Sequence, residues 1–331
     1  MKRLRVGVVY GGRSSEHEVS VASAAAVIAN LDPARYEPVP IFINKEGRWS
    51  IAALAPTTLS AADVIQQART AATVSQATAP EVHLVAHPTD ETLVTIQREA
   101  QPARATITGL ALDVVFPIVH GPYGEDGTLQ GLLELANVPY VGAGVLSSAI
   151  GMDKAVARIL FAAHGLPTVA YEVVTGYEWD QDPTHVIARL SERLPLPMFV
   201  KPANLGSSVG VSKASNNQQL ETALNVAREF DTKLIVEEAV PNAREIECAV
   251  LGNESPEASV PGEIVPSREF YDYEAKYVDD GSRLIIPAVL TPEQTDTIRV
   301  TAVKAFRQET QGMVSLASRD DSKFVVLPKN E

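Results

Sequence analysis

The stretch FVKPANLGSSVGV, residues 199 to 211, decides the fold more than any other part of the chain. Apolar and β-branched residues leading to Lys201 predict a strand, Pro202 and Gly206 interrupt it, and an extended pattern then resumes. Lys201 therefore leaves a strand beside a Gly-Ser-Ser run, where an ammonium group, two hydroxyls and unhindered backbone N–H groups meet. Such donors favour a phosphate-binding loop. The alternative is a hairpin whose glycine and serines only turn the chain.

Length and composition place the chain among globular proteins with more than one domain. Its 331 residues, 45% of them hydrophobic, exceed what one core usually organises, so two or three domains are expected. No apolar run approaches the roughly 18 residues of a membrane span. The basic start turns apolar, but glycines end that run too early for a signal peptide. We therefore expect a cytoplasmic protein without membrane contact.

Charge and cysteine content exclude several classes of partner. A net charge of −13 argues against general binding to nucleic acid or anionic membranes, although a few converging lysines could still bind phosphate. Cys248 is the single cysteine, which excludes an internal disulfide and any site with several thiolate ligands. A buried core position is expected for Cys248 in preference to a catalytic thiol.

The hydrophobic pattern predicts an α/β organisation in three parts. Strands alternating with helices indicate a parallel sheet in the first part. Residues 51 to 107 are rich in Ala and Thr and read as a variable insertion with one helix, at residues 60 to 72, and little chemical content. The other elements predicted for this first part are strands at 4 to 9, 39 to 43 and 114 to 119 and a helix at 18 to 31.

The rest of the chain continues the alternation. A second α/β unit is expected from residue 139 to about 240 and a third from about 241. Predicted helices lie at 153 to 164, 183 to 194, 217 to 230 and 292 to 308, and predicted strands at 168 to 174, 196 to 201, 233 to 238, 246 to 251, 262 to 265 and 284 to 286. Thr291 followed by proline is a typical N-cap for the last helix.

Two glycine-rich segments directly follow predicted strands. GGRSSEHEVS, residues 11 to 20, lacks the G-x-G-x-x-G pattern of dinucleotide folds, which weakens a dehydrogenase interpretation. Ser14 or Ser15 could cap the next helix, with Glu16 and Glu18 serving its dipole; alternatively, a carboxylate here holds a substrate ammonium group. HGPYGEDG, residues 120 to 127, favours a ligand-binding loop over a solvated turn because so many special residues crowd together.

Two further segments carry lysines in unusual settings. Asp153 is expected to cap a helix within GMDK, which places Lys154 against the helix dipole unless an anion binds there; a solvated lysine is the alternative. FYDYEAKY, residues 270 to 277, is an aromatic segment with one lysine. It is typical of a lid or recognition loop, and ordinary packing between domains explains it equally well.

Together these segments resemble the D-alanine–D-alanine ligases of the ATP-grasp superfamily. The matching runs span most of residues 4 to 306 outside the insertion: GGRSSEHEVS, FPIVHGPYGEDGTLQGLLELANVPYVG, GMDK, FVKPANLGSSVGVSK, EIECAVLGN and FYDYEAKY. The resemblance implies three α/β domains: an N-terminal parallel-sheet (pre-ATP-grasp) domain over 1 to 138, a central ATP-grasp subdomain over 139 to 240, and an incomplete C-terminal one over 241 to 331. ATP is expected between the last two, and a homodimer is the common assembly.

The resemblance also implies an activity. ATP would phosphorylate the carboxylate of one D-alanine, and the amine of a second would displace phosphate from the acylphosphate, for peptidoglycan precursor synthesis. By motif, Glu16 would hold the first ammonium group in a set with Ser207 and Tyr277, and His120 would lie near the substrate carboxylate. The remaining roles concern ATP: phosphate contacts from Lys154, Lys201, Ser208 and Lys276, adenine contacts from the segment of Glu237 and Glu238, and a ribose contact from Glu245. Tyr277 favours the dipeptide-forming type over relatives that use D-lactate.

The carboxyl end departs from the family pattern. Ser315 stands where an arginine is expected, and Ala317 and Pro328 stand where Mg²⁺ (or Mn²⁺) ligands are expected, which leaves Asn330 as the retained metal residue. The family's last loop is not matched, as in a truncated or frameshifted copy. Three hypotheses therefore stand: an active ligase, a remnant that binds ATP or D-alanine without turnover, and a related ligase with another acceptor such as D-lactate.

Overall fold

The computed structural model describes most of the chain as two compact units, Met1–Val145 and Leu146–Glu331. The described residues are 2–52, 55–56, 59–70, 81–87, 92–99, 104–267, 281–308, 314–320 and 323–328. Each unit has its own sheets and core, and each is considered by itself below. None of the helices in these ranges is both long and apolar enough to cross a membrane.

The first unit is built on a seven-stranded mixed sheet with strand order β6-β5-β4-β3-β2-β1-β7. Its strands are β1 (Leu4–Gly11), β2 (Tyr36–Ile43), β3 (Trp49–Ile51), β4 (Glu81–Leu84), β5 (Leu93–Glu99), β6 (Arg104–Leu110) and β7 (Val114–Pro117). Its helices are α1 (His17–Asn30), α2 (Ala61–Thr70) and α3 (Thr128–Leu135). The pairs β1–β2 and β1–β7 are parallel, as predicted, while the successive pairs from β2–β3 to β5–β6 are antiparallel.

The predicted insertion carries more structure than its composition indicates. Its helix is found at Ala61–Thr70, but β4, β5 and β6 were not expected. Glu81–Leu84 and Arg104–Leu110 do alternate polar and apolar residues, but these runs are short and lie in a segment rich in Ala and Thr, so the strand signal in the sequence is weak. Hairpin pairing along a sheet that already exists stabilises them instead, and Val82 and Leu93 complete the core beside Ile41.

The second unit contains two larger sheets, each with its own core. The first has order β10-β9-β11-β8, with β8 (Tyr171–Thr175), β9 (Met198–Pro202), β10 (Ser212–Ala214) and β11 (Lys233–Glu238). The helices in this part of the chain are α4 (Val145–Met152), α5 (Lys154–Ala163), α6 (Gly176–Gln181), α7 (Pro183–Arg193) and α8 (Asn217–Arg228). One face of this sheet packs its apolar side chains against α7 and α8, through Val186, Leu190, Leu220 and Leu224.

The second sheet of this unit has order β16-β15-β12-β17-β18. Its elements are β12 (Arg244–Cys248), the pair β13 (Val250–Leu251) and β14 (Glu257–Ala258), β15 (Gly262–Val265), β16 (Arg283–Ile285), α9 (Pro292–Gln308), β17 (Val314–Asp320) and β18 (Lys323–Pro328). The start of α9 is capped as predicted: Thr291 Oγ1 accepts from Gln294 N at 3.2 Å, and Gln294 Oε1 accepts from Thr291 N at 2.9 Å. Cys248 is buried in the core beneath α9.

Candidate active site

Both glycine-rich segments of the first unit meet at the carboxyl ends of β1 and β7. Ser14 Oγ donates to His120 O at 2.7 Å, and Ser20 Oγ donates to Ile118 O while accepting from Gly11 N at 2.8 Å. The predicted serine cap of α1 is therefore wrong: Glu16 takes the N-cap position without a side-chain cap bond. Ser14 Oγ instead accepts from Glu16 N at 3.2 Å, in the turn that precedes the helix, while it donates to the neighbouring loop.

Glu16 is held against the second of these segments. Its side chain is only 6% exposed, and its Oε2 lies 2.6 Å from the place where a β-carbon on Gly121 would stand. The neighbouring His120 has Nε2 3.1 Å from Ser23 Oγ and Nδ1 4.0 Å from Glu125 Oε1. Glu16 and His120 are thus brought together, as their proposed roles at one substrate require.

The backbone of the loop HGPYGEDG is shaped by hydrogen bonds to its own acidic residues. This differs from the alternative interpretation, a surface turn in which the two carboxylates are solvated. Glu125 Oε2 accepts from Gly121 N at 2.8 Å, and the two carboxylate oxygens of Asp126 accept from Tyr123 N and Thr128 N at 2.9 Å each. Gln130 on α3 donates to Gly124 O at 2.8 Å. These bonds fix the backbone on which His120 and Gly121 lie.

Replacing Gly121 by alanine is expected to raise the KM for D-alanine by about tenfold. The backbone at Gly121 has φ +72°, which alanine adopts with strain, and the new methyl group would displace the Glu16 carboxylate. The measurement is steady-state kinetics against D-alanine with ATP saturating.

Gly131→Ala is the matched control, because Gly131 lies within α3 and a β-carbon there meets nothing within 4 Å. That variant is expected to keep the wild-type KM and to gain slightly in stability, since alanine favours helix. An unchanged KM in Gly121→Ala would show that Glu16 does not contact the substrate.

In the second unit, the alternation of β9 and β11 places Lys201 and Glu237 on one face of the first sheet. Met198, Val200, Leu234 and Val236 point to the α7 and α8 side, so the residues between them point the other way. Lys201 pairs with Ile235 in register, which makes Glu237 its diagonal neighbour. Long side chains reach across such a diagonal. The Lys201 Nζ to Glu237 Oε2 distance is 2.9 Å.

Glu237 is the centre of a buried ion cluster that the sequence did not predict. Arg158 on α5 donates through Nε to Glu237 Oε1 at 2.9 Å, and its Nη2 contacts the same oxygen. Arg158 and Glu237 are 0% and 2% exposed. Burial alone would raise the pKa of Glu237, but the charges of Arg158 and Lys201 outweigh it and lower that pKa from 4.5 to about 2. The carboxylate is therefore ionised at neutral pH.

Lys154 is buried, so the solvated alternative for it is wrong. It is 1% exposed at the start of α5, where Asp153 accepts from Ala155 N and Val156 N as the predicted cap. Lys154 N donates to Ala203 O at 3.0 Å, and Nζ donates to Leu205 O. Both acceptors lie at the root of the loop that follows β9, so α5 and this loop are fixed to each other.

That loop holds two serines in an unusual backbone conformation. Ser207 and Ser208 have φ of 53° and 57°, in the left-handed region that non-glycine residues seldom adopt. Ser207 is 5% exposed. Asn204 anchors the loop by donating from N and Nδ2 to Asp231 Oδ2 at 2.8 and 3.0 Å. Strain that is maintained by surrounding contacts is characteristic of ligand-binding segments, which favours the phosphate loop over the plain hairpin.

The other predicted site residues fall in three places. Glu238 ends β11, where its Oε1 accepts from Ala170 N at 3.3 Å, and Glu245 lies half-buried in β12. Ala317 pairs with Glu245 in register and Pro328 ends β18; the backbone alone is described there. Lys276, Tyr277 and Asn330 lie outside the described residues.

A metal site is not found in the described part of the chain. No group of three or more His, Cys, Asp and Glu side chains there could hold an ion. Of the acidic groups in this region, Glu237 is already neutralised by two cations, and Asp231 accepts two hydrogen bonds from Asn204. The described residues therefore do not fit Mg²⁺ as ligands.

Comparison with known proteins gives the same family for both units. The family model described as "D-ala D-ala ligase N-terminus" matches residues 5–143, and "D-ala D-ala ligase C-terminus" matches residues 160–321. The D-alanine–D-alanine ligase of Geobacillus thermodenitrificans is 45% identical over 308 residues, covering 92% of this chain and 79% of that protein. That of Solibacter usitatus is 46% identical over 312 residues, covering 94% and 79%.

Solved structures agree with the sequence comparison. The D-alanine-D-alanine ligase from Coxiella burnetii has a TM-score of 0.78 at 32% identity, covering 99% of this chain and 84% of that one. The VanG D-Ala:D-Ser ligase from Enterococcus faecalis has a TM-score of 0.79 at 29% identity, covering 99% and 90%. Matches of this length and identity, which cover both units, show to which family the chain belongs. The chain belongs to the D-alanine–D-alanine ligase family, and its fold is the ATP-grasp fold of those enzymes.

Proposed function

We propose that this chain joins two D-alanine molecules into D-alanyl-D-alanine at the expense of ATP, as a step of peptidoglycan precursor synthesis. The observation that carries the proposal is the buried charge of the second unit. Lys154, Arg158 and Lys201 are three basic residues against one buried carboxylate, Glu237, among the described buried residues there. An excess of buried positive charge beside a strained Gly-Ser-Ser loop favours an anion such as the phosphates of ATP.

The reaction needs activation because a free carboxylate is a poor electrophile. A carboxylate oxygen of the first D-alanine attacks the γ-phosphorus of ATP, and the bond to the bridging oxygen breaks to release ADP. The amine of the second D-alanine then attacks the acyl carbon of the acylphosphate. Phosphate leaves with the bonding electrons, and the new amide nitrogen gives up its extra proton. Catalysis of such transfers rests mainly on positioning and charge neutralisation.

Residues of this chain have defined tasks in the proposal. The buried carboxylate of Glu16 binds the ammonium group of the first D-alanine, and the family motif alone supports Ser207 and Tyr277 as catalytic residues. His120 lies near the substrate carboxylate. Lys154, Lys201 and Ser208, joined by Lys276, bind ATP phosphates, where lysines supply mobile point charges. The backbone of the segment that carries Glu237 and Glu238 meets adenine, and Glu245 binds the ribose.

Three further features of the proposal rest on the family. Asn330, outside the described residues, would be the candidate protein ligand for Mg²⁺, or Mn²⁺ in its place, which would screen the phosphate charge of ATP. The active form is a homodimer. The chain from residue 139 is divided into a central subdomain over residues 139 to 240 and a C-terminal one from 241. The two larger sheets support this division, although α5 also contributes Ala157 and Phe161 to the core of the second sheet.

A direct assay tests the activity. The purified 331-residue chain is incubated with ATP, Mg²⁺ and D-alanine, and phosphate release is measured together with dipeptide by mass spectrometry. We expect D-alanyl-D-alanine in equal amount to phosphate. Offering D-lactate with D-alanine tests the acceptor, and a mixed depsipeptide as main product would contradict dipeptide formation.

Binding without turnover is the second candidate, because Ala317 and Pro328 stand where metal ligands are expected. Alanine and proline offer no side-chain oxygen to a metal ion, and losing such ligands slows phosphoryl transfer by orders of magnitude. Calorimetry with ATP distinguishes the two candidates. Nucleotide binding without phosphate release would favour the second.

A further inference from the structure

Arg158 is the member of the ion cluster for which the proposed reaction has no assigned task. It lies four residues after Lys154 on α5, one helical turn further, so both side chains project from the same face of the helix. Its side chain is 0% exposed, whereas that of Lys201 is 10% exposed. A ligand arriving at the cluster would therefore meet Lys201 and not Arg158.

The two cations, Arg158 and Lys201, each bind a different oxygen of the Glu237 carboxylate. Arg158 binds Oε1 through Nε and Nη2, and Lys201 binds Oε2 at 2.9 Å. If Lys201 turned to a phosphate oxygen, Glu237 would keep the guanidinium as its partner. Without Arg158, the same movement would leave a buried carboxylate with neither cation, which is strongly unfavourable.

Resting on the proposed function, we propose that Arg158 is a positioning residue for ATP binding: by keeping Glu237 paired, it frees Lys201 to bind the phosphates of the nucleotide. Arginine suits this task because its guanidinium stays charged when buried and makes more than one bond to a carboxylate. In the absence of nucleotide, Glu237 holds the Lys201 ammonium group in place. When nucleotide binds, Lys201 moves to phosphate while the Arg158–Glu237 pair stays intact.

Removing the Arg158 guanidinium should weaken nucleotide binding, because it makes Lys201 less available to the phosphates. In Arg158→Met, Lys201 becomes the single counter-ion of Glu237 and is retained by it. We expect the Kd for the non-hydrolysable analogue AMP-PNP to rise by about tenfold or more, and the KM for ATP to rise with it, while the KM for D-alanine stays within about twofold. Calorimetry on the full chain gives the Kd directly.

A second substitution separates this role from simple structural support. Arg158→Met combined with Glu237→Gln removes the negative charge that retains Lys201, so the Kd should return to within about threefold of the wild-type value. A purely structural role predicts a lower Tm without that recovery. Arg189→Met is the matched control: Arg189 bonds Glu172 at 2.9 Å on the same unit, and its loss should leave the Kd unchanged.

Wild-type protein offers a test that does not depend on folding of the variants. Nitrogen-detected NMR of arginine and lysine side chains should show the Lys201 ammonium signal shifting on addition of AMP-PNP while the Arg158 Nε–H signal stays in place. An Arg158→Met variant with wild-type Kd would overturn this inference alone. An unmoved Lys201 signal in nucleotide-bound protein would overturn it together with the phosphate contact proposed for Lys201, but not the ligase activity. Wild-type protein that fails to bind AMP-PNP would overturn the proposed function together with it.

Discussion

Replacing Lys201 by alanine is expected to lower kcat/KM for ATP by about 10³-fold. The substitution removes the most accessible cation of the buried cluster, so phosphate charge that develops during transfer is no longer neutralised in a site of low dielectric. Because Arg158 still neutralises Glu237, the fold should survive. Initial rates of phosphate release at varied ATP, with D-alanine saturating, measure the effect.

Lys304→Ala provides the comparison for this loss, since Lys304 is an exposed lysine on α9. Its rates should match the wild type. A Lys201→Ala variant that keeps more than about a tenth of wild-type kcat/KM would mean that Lys201 serves only as a partner for Glu237. The Tm of both variants checks that any loss reflects catalysis and not unfolding.

Replacing Glu237 by leucine is expected to lower the free energy of unfolding by about 3–5 kcal/mol. The change leaves Arg158 and Lys201 buried side by side without their carboxylate, and an uncompensated buried charge is among the most destabilising defects in a protein. Urea denaturation followed by circular dichroism measures the difference. Glu172→Leu is the control, because Glu172 pairs with two arginines in a partly exposed network, where we expect less than about 1 kcal/mol.

The pH dependence of the free energy of unfolding provides a second test of the contribution of Glu237. The folded-state pKa of Glu237 is lowered to about 2 against an ordinary value of 4.5, so its stabilising contribution is complete above about pH 4.5 and is lost as the pH falls towards 2. The wild-type free energy of unfolding should therefore converge on that of Glu237→Leu across this range. A constant difference between the two proteins at pH 7 and pH 3 would contradict the ion-cluster explanation.

Much of the local structure could be predicted because its signals are local. The strand Lys233–Glu238 and the helix Pro292–Gln308 have the predicted bounds, since a compact apolar run and an N-cap followed by proline act over a few residues. Asp153 caps its helix for the same reason. Ser14 carried an equally good capping signal, but its hydroxyl accepts from Glu16 N in the turn before the helix and donates to the loop after β7, and Glu16 takes the N-cap position.

The sequence alone determined the family, the α/β class and the segments that carry the chemistry, because these depend on residue types at fixed spacings. Only the tertiary structure decided which charges meet. Arg158 and Lys201 lie 79 and 36 residues before Glu237 along the chain, and no pattern in the intervening residues predicts that they contact it. Arg158 on α5 reaches the Glu237 carboxylate on β11, and the three groups meet away from water, where a single unpaired charge would be too unfavourable to keep.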